Sequence, residues 1–173
     1  MRALFPGRFQ PFHYGHLEVV KWALSNWDEV VILVGSGAES HTGINPFTAG
    51  ERIEMIKRSL DWASIDPNRY IIVPLMENLE SLGWATLVQM TTPRFEVIIS
   101  GNPLVRKVGE AAGYKVVVPP PFNKDSWNAT GIRKLMLEGN NTWEKLVPPP
   151  VAEFIKQVKG VERIREVSQS DRA

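Results

Sequence analysis

The chain has 173 residues, of which 43% are apolar and 23% charged, a composition typical of one globular domain. A formal charge of +1 provides no global field toward nucleic acid or membranes, and the absence of cysteine excludes disulfide frameworks, thiolate zinc sites and a cysteine nucleophile. We expect a cytoplasmic protein, because the first residues contain no signal-peptide core and no apolar run approaches the roughly 20 residues of a membrane span.

Short β-rich runs alternate with helical periodicity along the whole chain. In chain order we expect strands at 3–6, 29–35, 70–73, 96–100 and 114–118, and helices at 15–27, 48–63, 82–90, 103–112, 130–137 and 151–158. Thr48 and Glu51 form a capping-box pattern, and Gly139 and Gly160 are expected to end helices. The alternation predicts an α/β fold with a parallel sheet of about five strands and helices on both faces.

Ligands of such sheets bind beyond the carboxyl ends of the strands, where the segment Gly7–His16 follows the first strand. Its glycines permit close approach to a ligand, and the following helix N-terminus offers unpaired N–H groups to a phosphate. His13 and His16 are three residues apart, so both can face one side of the first turn and donate to phosphate oxygens. Helix capping or core packing is the alternative. A zinc pair is disfavoured, since His41 is the only other histidine.

A second polar segment, Ser126–Met136, opens a late helix. Thr130 is expected to cap this helix and leave its hydroxyl and backbone N–H groups aimed at an anion. Arg133 lies one turn further on, and its planar guanidinium suits phosphate oxygens. The alternative is a capped surface helix that carries a solvated Arg–Lys pair.

These two segments resemble the signatures of the nucleotidylyltransferase superfamily. Gly7–His16 matches Gly-x-Phe-x-Pro-x-His-x-Gly-His at every fixed position. The later segment matches the second signature at Thr130, Ile132 and Arg133, with Asn128 in place of the usual serine. The resemblance implies a Rossmann-like fold in which an acceptor phosphate attacks the α-phosphorus of a nucleoside triphosphate.

Three further segments, 40–52, 100–103 and 160–164, resemble archaeal-type nicotinamide-nucleotide adenylyltransferases. The resemblance covers a single domain, 1–165, and leaves 166–173 as a polar tail. It implies that ATP and nicotinamide mononucleotide (NMN) are joined to NAD with release of pyrophosphate, in a homo-oligomer such as a hexamer. The alternatives are another adenylyl- or cytidylyltransferase, acting on phosphopantetheine, a flavin nucleotide or glycerol phosphate, and a non-catalytic nucleotide sensor.

The same resemblance assigns the site residues. Catalysis is assigned to His16, His13 and Arg133, and magnesium is expected to arrive largely on ATP because no carboxylate cluster suggests a metal cage. The ATP site is expected to consist of Gly7, Arg8, Phe9, His13, Gly15, His16, Gly101, Asn102, Asn128, Thr130 and Arg133.

The acceptor site is assigned to Trp84, Phe122 and Glu77. Trp84 is expected to stack on the nicotinamide ring, whose positive charge suits a flat electron-rich face. Phe122 is a second aromatic candidate in that pocket, and Glu77 is expected to meet the carboxamide. A core role for Trp84 is the alternative, and Arg52 is expected to be a charge on a helix surface.

Overall fold

The computed structural model describes residues 1–170 and contains a five-stranded parallel sheet in the order β3-β2-β1-β4-β5. The strands span Arg2–Gly7 (β1), Glu29–Val34 (β2), Tyr70–Pro74 (β3), Val97–Ile99 (β4) and Lys115–Val117 (β5). The helices span Tyr14–Asn26 (α1), Ala49–Trp62 (α2), Trp84–Thr91 (α3), Pro103–Ala111 (α4), Ala129–Leu137 (α5), Pro149–Gln157 (α6) and Gly160–Ser170 (α7). The predicted α/β fold is confirmed.

Helices cover both faces of the sheet because successive residues of each strand point in opposite directions. On the central strand β1, Ala3 and Phe5 belong to the apolar cluster that includes residues of α1, α2, α5, α6 and α7. Leu4, between them, belongs to the cluster on the other face with residues of α3 and α4. Both faces of β1 and β2 are therefore buried, which explains the continuous apolar run in β2.

The C-terminal region differs from the sequence prediction. The prediction that Gly160 ends a helix is wrong, because Gly160 begins α7 and Lys159 holds the positive φ of 55°. Gly160 is buried, and a Cβ at this position would lie 2.7 Å from the ring of Phe47. Helix α7 includes residues 166–170 of the predicted polar tail, and 171–173 lie outside the described residues. Within 1–170, no helix has the length and apolar character needed to cross a membrane.

Candidate active site

Two large cavities open beyond the carboxyl ends of the parallel strands, as expected for such a sheet. One, of about 380 Å³, is formed by the loop after β1, the start of α1 and the start of α5, and is called the α1–α5 cavity. The other, of about 460 Å³, is formed by the loops after β1, β2 and β4 and the start of α3, and is called the β2–α3 cavity. The two predicted phosphate-binding segments, far apart in sequence, meet in the α1–α5 cavity.

His13 and His16 form the capping box of α1. His13 Nδ1 accepts a hydrogen bond from the backbone N–H of Gly15 at 3.0 Å, and His16 Nδ1 accepts one from the backbone N–H of His13 at 3.2 Å. The two rings stack with their centroids 3.6 Å apart. A glycine is needed at position 15, because a Cβ there would lie 2.9 Å from a ring carbon of His13.

This arrangement determines the protonation of both rings. Each Nδ1 must be unprotonated to accept, so the single proton of each neutral imidazole lies on Nε2. Burial lowers the pKa of His13 to about 3, and burial together with the neighbouring His13 lowers the pKa of His16 well below its usual range. Both residues line the α1–α5 cavity. Capping uses Nδ1 of each ring and leaves the Nε2–H donor, so a capping role does not exclude the predicted role in phosphate binding.

Helix α5 is capped by Asn128. Its Oδ1 accepts from the backbone N–H of Gly131 at 2.7 Å, while its Nδ2 donates to the Lys124 carbonyl at 2.9 Å. The prediction that Thr130 caps this helix is wrong, because α5 already begins at Ala129 and Thr130 lies within its first turn. Thr130 nevertheless lines the α1–α5 cavity, as does Asn128. Asn128 therefore caps α5 from the position at which the second signature usually has serine.

Arg133 reaches the same cavity from the next turn of α5. Its side chain is buried, and its Nη1 donates to the backbone carbonyl of Gln10 at 2.9 Å. Burial and the nearby Arg8 lower the pKa of Arg133. The alternative, in which Arg133 is a solvated side chain on a surface helix, is therefore wrong. Arg133 is buried and hydrogen-bonded to the loop after β1.

The α1–α5 cavity is cationic. Its charged lining residues, among those described, are Arg8, Lys124 and Arg133, and the lining contains no carboxylate. Nor do residues 1–170 contain a group of three His, Cys, Asp or Glu side chains placed to hold a metal ion. The cavity thus suits a polyanion. Lys124 is a lining residue that was not predicted from the sequence, although it follows β5 on the same side of the sheet as the other lining loops.

The residues predicted for the acceptor site are separated in the structure. Trp84 lines the β2–α3 cavity and is 4% exposed, so its ring is both a cavity wall and part of the core. Phe122 lines the α1–α5 cavity instead, and Glu77 is exposed and absent from both described linings. The reason is the strand order, since Phe122 follows β5 at one edge of the sheet and Trp84 follows β3 at the other.

The remaining residues predicted for ATP divide between the cavities. Phe9 and Gly101 line the α1–α5 cavity, whereas Gly7 and Asn102 line the β2–α3 cavity. The Asn102 side chain also caps α4. Of the described residues, only Arg8 appears in both linings. Arg8 therefore marks the boundary between the two cavities.

Arg52 is fully buried, so its assignment to a helix surface is wrong. Its Nη1 donates to the carbonyls of Arg8 at 2.8 Å and Gly35 at 2.7 Å, and its Nη2 to that of Ser36 at 3.1 Å. Burial lowers the pKa of Arg52 to about 10. These hydrogen bonds connect the loop after β1, which contains Arg8, to the loop after β2. The sequence feature that could have indicated a buried role for Arg52 is its place in the 40–52 segment, which carries the family resemblance. Helix periodicity alone could not have indicated it.

Two adjoining cavities, one cationic and bordered by helix N-termini, lie at the carboxyl edge of a parallel sheet. This combination of fold and site defines the chain as a Rossmann-like protein of the nucleotidyltransferase class.

Comparison with known proteins gives the family. The model of the cytidylyltransferase-like family matches residues 4–135. The chain is 54% identical to nicotinamide-nucleotide adenylyltransferase 1 of Sulfolobus acidocaldarius, over 99% of this chain and 98% of the relative. It is 53% identical to the nicotinamide-nucleotide adenylyltransferase of Sulfurisphaera tokodaii, over 99% of each chain. The chain belongs to the cytidylyltransferase-like family and, within it, to the nicotinamide-nucleotide adenylyltransferases.

Solved structures share the fold. A bifunctional NMN adenylyltransferase/ADP ribose pyrophosphatase from Francisella tularensis matches with a TM-score of 0.77 at 23% identity, covering 98% of this chain and 53% of that one. The chain thus spans about half the length of that bifunctional protein. A structure of such a protein from the same organism, complexed with AMP and a manganese ion, matches with a TM-score of 0.76.

Proposed function

We propose that this chain transfers the adenylyl group of ATP to NMN, forming NAD and pyrophosphate. The observation that carries this proposal is the position of Arg8 between the two cavities. Arg8 is exposed. A triphosphate in the α1–α5 cavity and a mononucleotide in the β2–α3 cavity would bring their phosphates together at this cation.

The reaction needs little covalent participation by the protein. A 5′-phosphate oxygen of NMN forms a bond to the α-phosphorus of ATP, the bond from that phosphorus to the bridging oxygen breaks, and pyrophosphate leaves. The attacking phosphate is already an anion, so no strong base is required. The barrier lies in holding two polyanions together and in stabilising the charge of the transition state.

The residues of the α1–α5 cavity supply this stabilisation. We assign the Nε2–H groups of His16 and His13 to the triphosphate, with His16 nearest the α-phosphoryl oxygens. Neutral donors fixed by their capping bonds need no reorganisation when charge develops. Arg133 and Thr130 hold the β- and γ-phosphates, and Arg8 bridges the attacking and attacked phosphates.

Magnesium is the divalent ion that we propose, and it enters as the complex with ATP. Since no carboxylate is found among the described residues lining the α1–α5 cavity, the ion would be held there mainly by ATP and water, and it would neutralise phosphate charge. A homo-oligomer such as a hexamer and a cytoplasmic location stay predictions. Sedimentation velocity measures the first, and a species with the mass of a monomer would contradict it.

The experiment that tests the reaction incubates the protein with magnesium, ATP and a panel of phosphorylated acceptors, and identifies products by mass. We expect NAD and equimolar pyrophosphate with NMN, and no adenylylated product with phosphopantetheine, a flavin nucleotide or glycerol phosphate. His16→Ala, purified in parallel, excludes a contaminating enzyme, and His41→Asn, at an exposed histidine outside both cavity linings, should retain activity. ATP binding without turnover, or preference for another acceptor, would contradict the proposal.

A further inference from the structure

The loops after β1 and β2 each turn through a residue with a left-handed backbone. Phe9 has a φ of 54° and Ser36 a φ of 50°. This conformation is uncommon for residues other than glycine, and for a bulky aromatic residue it is a clear outlier. Such conformations persist where the surrounding structure fixes them, and they concentrate at functional sites. A contact in the surrounding structure must therefore hold both turns.

A single nitrogen of Arg52 holds both turns. Its Nη1 donates to the carbonyl of Arg8 at 2.8 Å and to that of Gly35 at 2.7 Å. These carbonyls belong to the planar peptide units that directly precede the two left-handed residues, Phe9 and Ser36. A rotation about φ at either turn would therefore displace a carbonyl that Arg52 binds.

The Arg52 side chain is itself fixed in place. It is fully buried, its Nε donates to the carbonyl of Thr48 at 3.2 Å, and its Nη2 donates to the carbonyl of Ser36 at 3.1 Å. Four backbone carbonyls thus accept hydrogen bonds from one planar guanidinium, whose donors have a fixed geometry. A lysine ammonium has three donors on a flexible stem, so it cannot reproduce this arrangement.

The turn at Phe9 separates a buried side chain from an exposed one. Phe9 is 1% exposed, and its ring lies edge-on to that of His16 with the centroids 4.8 Å apart. The preceding residue, Arg8, is exposed and lines both cavities. Arg52 is absent from both described linings. Any effect of Arg52 on the reaction must therefore pass through the residues that it holds.

We propose that Arg52 is a positioning residue of the reaction, which fixes the turns of the two loops and so keeps the Arg8 guanidinium at the boundary between the cavities. This inference rests on the proposed function, in which Arg8 bridges the attacking and attacked phosphates. A small displacement of such a group is costly, since a misplacement of about 1 Å can lower a rate about 100-fold. Loss of the Arg52 bonds should therefore lower kcat more than it raises KM for either substrate.

The test is a double-mutant cycle on kcat for NAD formation, built from Arg52→Lys and Arg8→Ala. Arg52→Lys keeps the charge but loses the bonding geometry, and should lower kcat about ten- to 100-fold while KM for ATP and for NMN changes less than about threefold. In the Arg8→Ala background the same substitution should lower kcat less than about twofold, because the group that Arg52 positions has been removed.

Two control variants lie on the same helix as Arg52. Arg58→Lys makes the same substitution at a partly exposed arginine that pairs with Glu54, and should leave kcat unchanged. Met55→Ala removes a fully buried side chain that is absent from both described linings, so it should lower the melting temperature without lowering kcat. All values of kcat are measured well below the melting temperature of the least stable variant.

Several results would overturn the inference. An equal loss of kcat from Arg52→Lys with and without Arg8 would show that Arg52 does not act through Arg8, and a wild-type kcat in Arg52→Lys would show that it positions nothing. A loss in Met55→Ala as large as in Arg52→Lys would assign the effect to stability. If Arg52→Lys does not fold, Arg52→Gln, whose amide still donates, takes its place in the cycle. Absence of NAD formation by wild type, or a wild-type kcat in Arg8→Ala, would instead contradict the proposed function.

Discussion

Acidification should destabilise the fold through the histidine capping box of α1. Both Nδ1 atoms accept backbone hydrogen bonds, so protonating them breaks the cap. The variant His13→Asn separates capping from titration, because asparagine is a favoured N-cap whose side-chain oxygen accepts the same bond from Gly15 without ionising. The free energy of unfolding of this variant should therefore depend less on pH than that of wild type.

The magnitude follows from the pKa of His13, which burial lowers from an ordinary value of 6.5 to about 3. Between these values the unfolded chain binds more protons than the folded one, so stability rises with pH. The contribution is fully present above about pH 6.5 and is lost as the pH falls toward 3. Between about pH 7.5 and about pH 5, His13 alone should remove about 2 kcal/mol, and His16, with its lowered pKa, adds to the loss.

The assay is urea unfolding at a series of pH values between about 5 and 7.5. Carboxylates whose pKa is lowered in the fold, such as Glu51 and Asp28, lose stability only at lower pH and do not contribute in this window. His13→Asn should have a smaller slope than wild type, and the slope that is left should come mainly from His16, whose pKa is also lowered. The matched control His41→Asn makes the same substitution at an exposed histidine with a positive φ that asparagine tolerates, and should keep the full slope. Equal slopes in wild type and His13→Asn would refute the reasoning.

Three further predictions concern the reaction. His16→Ala should lower kcat by ~10²–10³ with a smaller effect on ATP binding, and kcat near that of wild type would remove His16 from the mechanism. Arg133→Lys should markedly lower kcat/KM for ATP while circular dichroism shows an intact fold, because the compact lysine ammonium cannot form the paired hydrogen bonds of the planar guanidinium. Unchanged kinetics would contradict a role of Arg133 in phosphate binding. Trp84→Ala should cost ~3–5 kcal/mol of stability, since the ring is buried, and should raise KM for NMN roughly five- to 150-fold with little change for ATP. A lowered melting temperature without an acceptor-selective defect would refute stacking.

The sequence predicted well where local chemistry decides the structure. The capping box of Thr48 and Glu51 starts α2 as expected, because both its bonds form within one turn. Predictions failed where a side chain could serve two roles. Both Asn128 and Thr130 are capable N-caps, and the cap is Asn128, whose amide also donates to the carbonyls of two residues in the preceding turn.

By itself the sequence determined the five-stranded α/β fold, the family, and the two segments, Gly7–His16 and Ser126–Met136, that carry the signatures of its superfamily. Only the tertiary structure decided that Arg52 is buried beneath two loops, that Phe122 and Trp84 line different cavities, and that Arg8 stands between them. The physical reason is that capping and periodicity involve residues within a turn or two. Burial and cavity boundaries depend instead on which strands become neighbours, and here the chain order of the strands is not their order in the sheet.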